Sequence, residues 1–213
     1  MDLPGYGNSI DVSAETLDEY ADHIAVQITH PSVLVGWSLG GLISLHVARH
    51  YPEKVSALFQ VASSPKFVQD DSWPTAIEAG VFEQFAASLE KDVVKTIRRF
   101  LALQVRATET SMQTVRELQR AIDEHGLPAL EALYAGLKIL SDTDLTASLR
   151  ELTCPVTWLL GEKDVLVPVE LAEVLSTLLI HPDIHIIEAA GHAPFISHPE
   201  AFVNTLLQAV ERS

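Results

Sequence analysis

Hydrophobic positions along the chain follow two different periods, and the order in which they alternate predicts the fold. Leu17, Tyr20, Ala21, Ile24, Ala25 and Ile28 recur at three- and four-residue steps, one apolar face of an amphipathic helix, with Ser13 as its candidate cap. A short β-branched run, 32–36, follows and reads as a strand, and residues 39–51 read as a helix stopped by Pro52. The apolar residues of 55–61 are nearly continuous rather than alternating, the pattern of a strand buried on both faces. Strand, helix, strand at this spacing implies a parallel sheet with right-handed crossovers.

From Pro65 to about Leu149 no strand pattern is seen. Helical periods replace it at 74–89, 91–105, 111–124 and 128–140, with Gly126 and Pro128 separating the last two. The alternation then resumes with a strand at 156–160, a helix at 169–179, a strand at 184–187 and an amphipathic helix at 199–210. The expected architecture is α/β, with 1–64 and 150–213 forming the core and 65–149 a helical lid inserted within the same domain.

Composition narrows the class. The 213 residues are 47% hydrophobic and 20% charged, as in an ordinary globular domain. A net charge of −15 argues against nucleic acid and anionic membranes as partners. No apolar run reaches the length of a membrane span, and the lone Cys154 suits a reducing compartment, hence the cytoplasm.

The candidate chemistry starts at Gly36-Trp37-Ser38-Leu39-Gly40-Gly41, a G-x-S-x-G elbow, the tight turn between a strand and a helix. Small residues are needed where the strained turn passes close to its neighbours, and Gly36 and Gly40 are expected to meet that need. Gly41 is expected to let the helix approach its strand. The turn raises the Ser38 hydroxyl above the sheet edge, and the Leu39 N–H at the helix start faces any oxyanion that forms. A serine needs a base, and the base needs a carboxylate to orient it. Asp164 follows the strand at 156–160, and His192 follows the strand at 184–187 between small residues, in the chain order Ser, Asp, His. Glu162 is the rival carboxylate, but it lies too near the strand end to swing across. Of the nine histidines, His46 and His50 fall within the elbow helix, and His198 suits a cap on the last helix. This triad calls for no cofactor and no metal.

Together these residues resemble the α/β-hydrolase superfamily and, within it, the BioH-like family of pimeloyl-[acyl-carrier protein] methyl ester esterases of biotin synthesis. The resemblance runs through Asp2-Leu3-Pro4-Gly5-Tyr6-Gly7, the elbow, Val61-Ala62-Ser63-Ser64-Pro65, Arg99-Phe100-Leu101-Ala102-Leu103-Gln104, and His192-Ala193-Pro194-Phe195-Ile196-Ser197-His198-Pro199. It implies Ser38 as nucleophile, Asp164 as acid and His192 as base. It also implies substrate contacts from Ser38, Leu39, Phe100, Leu101, Ala102, Leu103, Gln104 and His192. Acyl carrier protein bearing the methyl ester is the implied partner, and a monomer the implied state.

Charge patterning gives independent support for that partner. Residues 91–120 carry seven basic side chains against three acidic ones, a net of +4, while the remainder carries seven against 26, a net of −19. A basic island on an acidic protein suits an acidic carrier, with Lys95, Arg99, Arg106 and Arg116 as the expected contact surface.

Family members carry about 40 further residues before the Asp-Leu-Pro-Gly segment, which supply the first strands and a second oxyanion donor. The chain is therefore expected to start at an internal methionine of a longer protein and to leave the elbow strand as an open sheet edge. Three alternatives stay open: a general short-chain carboxylesterase with the same triad, a weakly active short form, and a non-catalytic module that still binds a carrier.

Overall fold

In the computed structural model, which describes residues 1–104, 116, 117, 119, 120, 124 and 126–212 and omits the side chains of Leu101, Leu103 and Gln104, the chain builds a parallel sheet. Its strands are β1 (Ser32–Trp37), β2 (Val55–Val61), β3 (Val156–Gly161) and β4 (Asp183–Ile187), in the spatial order β1-β2-β3-β4. The register pairs Val35 with Phe59, Gln60 with Trp158, and Leu159 with His185. Every parallel strand ends at the same edge, so the loops after β1, β2, β3 and β4 gather there.

Burial explains the two kinds of strand. β2 lies between neighbours with helices over both faces, and all its residues but Ser56 are buried. β1 alternates instead: Leu34 faces the core while Val35 remains 49% exposed, because β1 ends the strand order. The expected open edge is present among the described residues.

On one face α1 (Leu17–Gln27) and α2 (Leu39–His50) enclose Tyr20, Leu42, Trp158 and Leu160 with Leu171 and Leu175 of α6 (Leu171–Leu178). On the other, α8 (Pro199–Glu211) sets Phe202, Leu206 and Ala209 against Phe59, Val61 and Leu159. Each large apolar side chain taken fully out of water contributes about 1.5–3 kcal/mol. The cap of α1 is Thr16 rather than Ser13. Its hydroxyl accepts from the Glu19 N–H while the Glu19 carboxylate accepts from the Thr16 N–H, a reciprocal pair that fixes the helix start three residues later.

Between β2 and β3 lie α3 (Ala79–Lys91), α4 (Val93–Gln104) and α5 (Leu130–Asp142). The expected helix at 74–89 starts later, because residues 66–77 form short bridges, Val68 with Ile77 and Asp70 with Trp73. Asp70 accepts from the N–H of Ser72 and of Trp73, a local turn that competes with helix. The expected helix at 111–124 lies largely outside the described residues. The insertion closes on itself: Leu145 N–H donates to Pro65 at 2.9 Å, and the Lys66 ammonium reaches both Asp70 and Asp144. α3, α4 and α5 share a small core of Leu89, Ile97, Phe85, Leu133 and Leu137.

Candidate active site

The chain reverses from β1 into α2 through a single residue. Ser38 has φ 52° and ψ −118°, a backbone conformation that costs a non-glycine residue about 1–3 kcal/mol. Neighbours hold it there. The Ser38 N–H donates to the Val61 carbonyl at 3.0 Å, and its own carbonyl accepts from the Ser63 hydroxyl at 2.8 Å and the Gly41 N–H at 2.9 Å.

The glycines divide differently from the expectation. A Cβ on Gly36 would lie 2.5 Å from Gly41 Cα and 2.6 Å from the Gly40 carbonyl oxygen, and one on Gly41 would lie 2.3 Å from Ser63 Oγ. One on Gly40 would meet nothing within 4 Å, so Gly40 is not crowded by any described residue. The close approach is made by Gly36 and Gly41. Behind them the buried Gln60 amide donates to Ser44 Oγ at 2.9 Å, and Ser44 donates to the Gly41 carbonyl at 2.8 Å. Gln60 escaped the sequence reading, and Ser63 entered it only within the stretch that carries the resemblance. The available signal was a glutamine inside an otherwise apolar strand, where a buried amide must find partners.

Asp164 and His192 meet in the interior. Asp164 Oδ2 lies 2.8 Å from His192 Nδ1, and Oδ1 accepts from the N–H groups of Leu166 at 2.8 Å and Val167 at 3.0 Å. The carboxylate is thus fixed on both oxygens. His192 is 1% exposed, and its Nε2 is buried with no hydrogen-bond partner among the described residues. An imidazole held at one nitrogen and unpartnered at the other is arranged for proton transfer.

Two loops are laced together to hold the pair. Lys163 N–H donates to the Ala190 carbonyl at 2.8 Å, Glu162 N–H to Ile187 at 3.0 Å, and a Cβ on Gly161 would strike the Gly191 carbonyl oxygen at 2.3 Å. Glu162 does not face His192. Its carboxylate accepts from the Ala189 N–H at 2.8 Å and braces the histidine loop, where Ala189 has φ 58°. His198 stands at the cap position of α8 without a side-chain capping bond and contacts Ser197 Oγ instead. Trp37, immediately before Ser38, donates its indole N–H to the His192 carbonyl at 2.7 Å. It also packs edge-on against Phe195, with ring centroids 5.0 Å apart. Sequence spacing gave no sign of that link.

Leu39 opens α2, and its side chain lies beside Gly136 of α5, so the insertion reaches the head of the elbow helix. Phe100 on α4 packs against Phe85 of α3 at 5.1 Å and lines a groove of about 370 Å³ with Val81, Lys91, Lys95 and Arg99. Lys95 and Arg99 are exposed on α4, Ala102 is exposed beyond them, and Arg116 is exposed too. Arg106 and the side chains of Leu101, Leu103 and Gln104 lie outside the described residues. No helix among the described residues is long and apolar enough to cross a membrane.

Residues 1–205 match the alpha/beta hydrolase family. Curated pimeloyl-[acyl-carrier protein] methyl ester esterases of Salmonella newport (strain SL254) and Salmonella typhi are 42% and 41% identical over 207 residues, 97% of this chain and 80% of each relative. An esterase from Exiguobacterium antarcticum matches the structure with a TM-score of 0.86 at 23% identity, over 99% of this chain and 80% of that one. A bromoperoxidase from Bacillus anthracis gives 0.88 at 17% identity over the same shares. The two solved structures speak for the fold alone. With residues 1–205 matched to one family and close sequence relatives that are esterases, the chain belongs to the alpha/beta hydrolase family.

Proposed function

We propose that this protein is a serine carboxylesterase that hydrolyses the methyl ester of a pimeloyl chain carried on acyl carrier protein, a step of biotin synthesis. The observation that carries the reading is the buried His192–Asp164 pair, at the same sheet edge as the strained Ser38 turn.

The residues suit acyl transfer in two halves. His192 Nε2 takes the Ser38 proton as Oγ attacks the ester carbonyl. Asp164 holds the Nδ1–H tautomer and supports the imidazolium. The Leu39 N–H at the head of α2 faces the oxyanion, where both the donor and the helix dipole favour negative charge. Methanol leaves with the proton from His192. The same base then activates water, which releases the free acid and restores Ser38.

Two features support the carrier-bound substrate. The relatives at 41–42% identity carry that activity in their names. The groove between α3 and α4 is lined by two aromatic rings, Phe85 and Phe100, and by three cations, Lys91, Lys95 and Arg99, against one acid, Asp92. An acyl chain fits the first and an acidic carrier the second. In this reading residues 65–149 are the lid, residues 1–64 and 150–213 the core, and Lys95, Arg99, Arg106 and Arg116 the carrier contact of a monomeric enzyme.

The test pairs two substrates, pimeloyl-carrier methyl ester and a small soluble ester. Wild type should hydrolyse both and take a fluorophosphonate label that Ser38→Ala abolishes. Arg99→Glu with Arg116→Glu should lower turnover of the carrier-bound ester about tenfold or more and spare the small one. Equal loss on both would overturn the carrier docking, and an unlabelled but folded wild type would overturn the esterase.

A further inference from the structure

Three side chains that hydrolysis does not use meet where α1 crosses the far end of α2. His46 and His50 stand four residues apart, so their imidazoles share one face of α2, with ring centroids 4.2 Å apart. Asp18, in the first turn of α1, brings Oδ1 to 2.6 Å from His46 Nε2. The ligating atoms of all three lie within 4.8 Å of one another. We propose that Asp18, His46 and His50 form a binding site for a divalent transition cation of the zinc class, which ties α1 to the last turn of α2.

The donor set matches the cation. Two imidazole nitrogens and one carboxylate oxygen are the three-ligand complement of a tetrahedral zinc site, with a fourth position left for water. Zinc–ligand bonds of about 2.0–2.2 Å put neighbouring tetrahedral ligands about 3.4 Å apart. The contact between Asp18 and His46 must therefore widen a little. It can do so, because the Asp18 side chain is 77% exposed while that of His46 is 9% exposed and held by packing. His46 is the fixed anchor and Asp18 the adjustable arm.

Surrounding charge favours a cation. Asp22, one turn along α1 from Asp18, is a second carboxylate on that helix and accepts a hydrogen bond from the Tyr51 hydroxyl. The nearby cation Arg49 is engaged by Glu151 at 2.6 Å. His46 and His50 also occupy the C-terminal part of α2, where unsatisfied carbonyls give the helix its negative end. His46 Nδ1 is buried without a partner among the described residues, so no second carboxylate braces the ring. The site is accordingly expected to bind more weakly than one with a completed outer shell.

Eight residues of helix separate Ser38 from His46, a rise of about 12 Å. The cation would not touch the ester. Its effect is on the packing of the helix that begins at the elbow.

Tag-free protein is titrated with zinc chloride in a non-chelating buffer by calorimetry, and its thermal midpoint is followed with and without zinc. Wild type should show saturable one-to-one binding and a higher midpoint with zinc. His50→Ala and Asp18→Asn, both at exposed positions, should keep the wild-type circular dichroism, lose the midpoint rise and bind about tenfold more weakly or worse. Wild-type affinity in either variant would assign binding to other histidines and overturn the site, as would the absence of saturable binding.

Discussion

The indole N–H of Trp37 donates to the backbone carbonyl of His192 at 2.7 Å, joining the residue before Ser38 to the backbone of the candidate base. The bond spans 155 residues and joins the last residue of β1 to the loop after β4. Trp37 therefore sets the height of the histidine loop over the elbow, while Phe195 packs edge-on against its ring.

Trp37→Phe keeps most of that packing and removes the donor. Loss of one such bond costs about 1 kcal/mol of stability. The catalytic cost should be larger, because the imidazole loses a backbone anchor near the attacking oxygen. We expect kcat on a small ester to fall about tenfold or more with little change in KM. Steady-state kinetics on the purified variant decide it. A change confined to KM would show that Trp37 lines the substrate path and does not position His192.

Asp164→Asn tests the role of the carboxylate. The asparagine oxygen can still accept from Leu166 and Val167, so the loop should remain in place. Its amide then faces His192 Nδ1 as a donor, which puts the imidazole proton on Nε2, where it cannot accept from Ser38. Turnover should drop about 10⁴-fold with an unchanged far-ultraviolet spectrum. Fluorophosphonate labelling should slow in parallel, since it uses the same base.

Fold and candidate site were legible to different depths, for physical reasons. The strands at 55–61 and 156–160 announced themselves because both faces are buried, and a continuous apolar run has few other readings. Asp164 and His192 were legible as a pair because the loops after β3 and β4 meet at one sheet edge. The cap at Thr16 was not, since Ser13 offers the same hydroxyl and only the reciprocal bond from Glu19 separates them. The bridges at 66–77 were hidden for a similar reason: Asp70 makes its turn through side-chain bonds that leave no hydrophobic period. Trp37 and His192, Gln60 and Ser44, and Asp18 and His46 are contacts between distant segments, and no local pattern encodes them.

The elbow glycines give a paired prediction. Gly36→Ala forces a methyl against Gly41 Cα and the Gly40 carbonyl, which are backbone atoms that cannot rotate away. Such overpacking costs about 1–3 kcal/mol, and here it would also part α2 from β1. Gly40→Ala meets nothing within 4 Å, and an alanine in a helix is favoured over glycine by about 0.8–1 kcal/mol. Chemical denaturation should show the first variant destabilised and the second unchanged or stabilised. Two equal losses would contradict the open space at Gly40.

Ser38 itself carries backbone strain that can be measured apart from its chemistry. At φ 52° and ψ −118° a side chain is disfavoured, whereas glycine takes such a conformation readily. Ser38→Ala removes the hydroxyl and keeps the strain, and Ser38→Gly removes both. Both variants should be inactive and unlabelled by fluorophosphonate. The glycine variant should nonetheless be more stable than the alanine variant, by about 1 kcal/mol after the greater freedom of glycine in the unfolded chain is offset. Denaturant titrations of the two inactive variants measure that difference without interference from activity. A glycine variant no more stable than the alanine one would mean that the neighbouring bonds to Val61 and Ser63, rather than the backbone, set the energy of the turn.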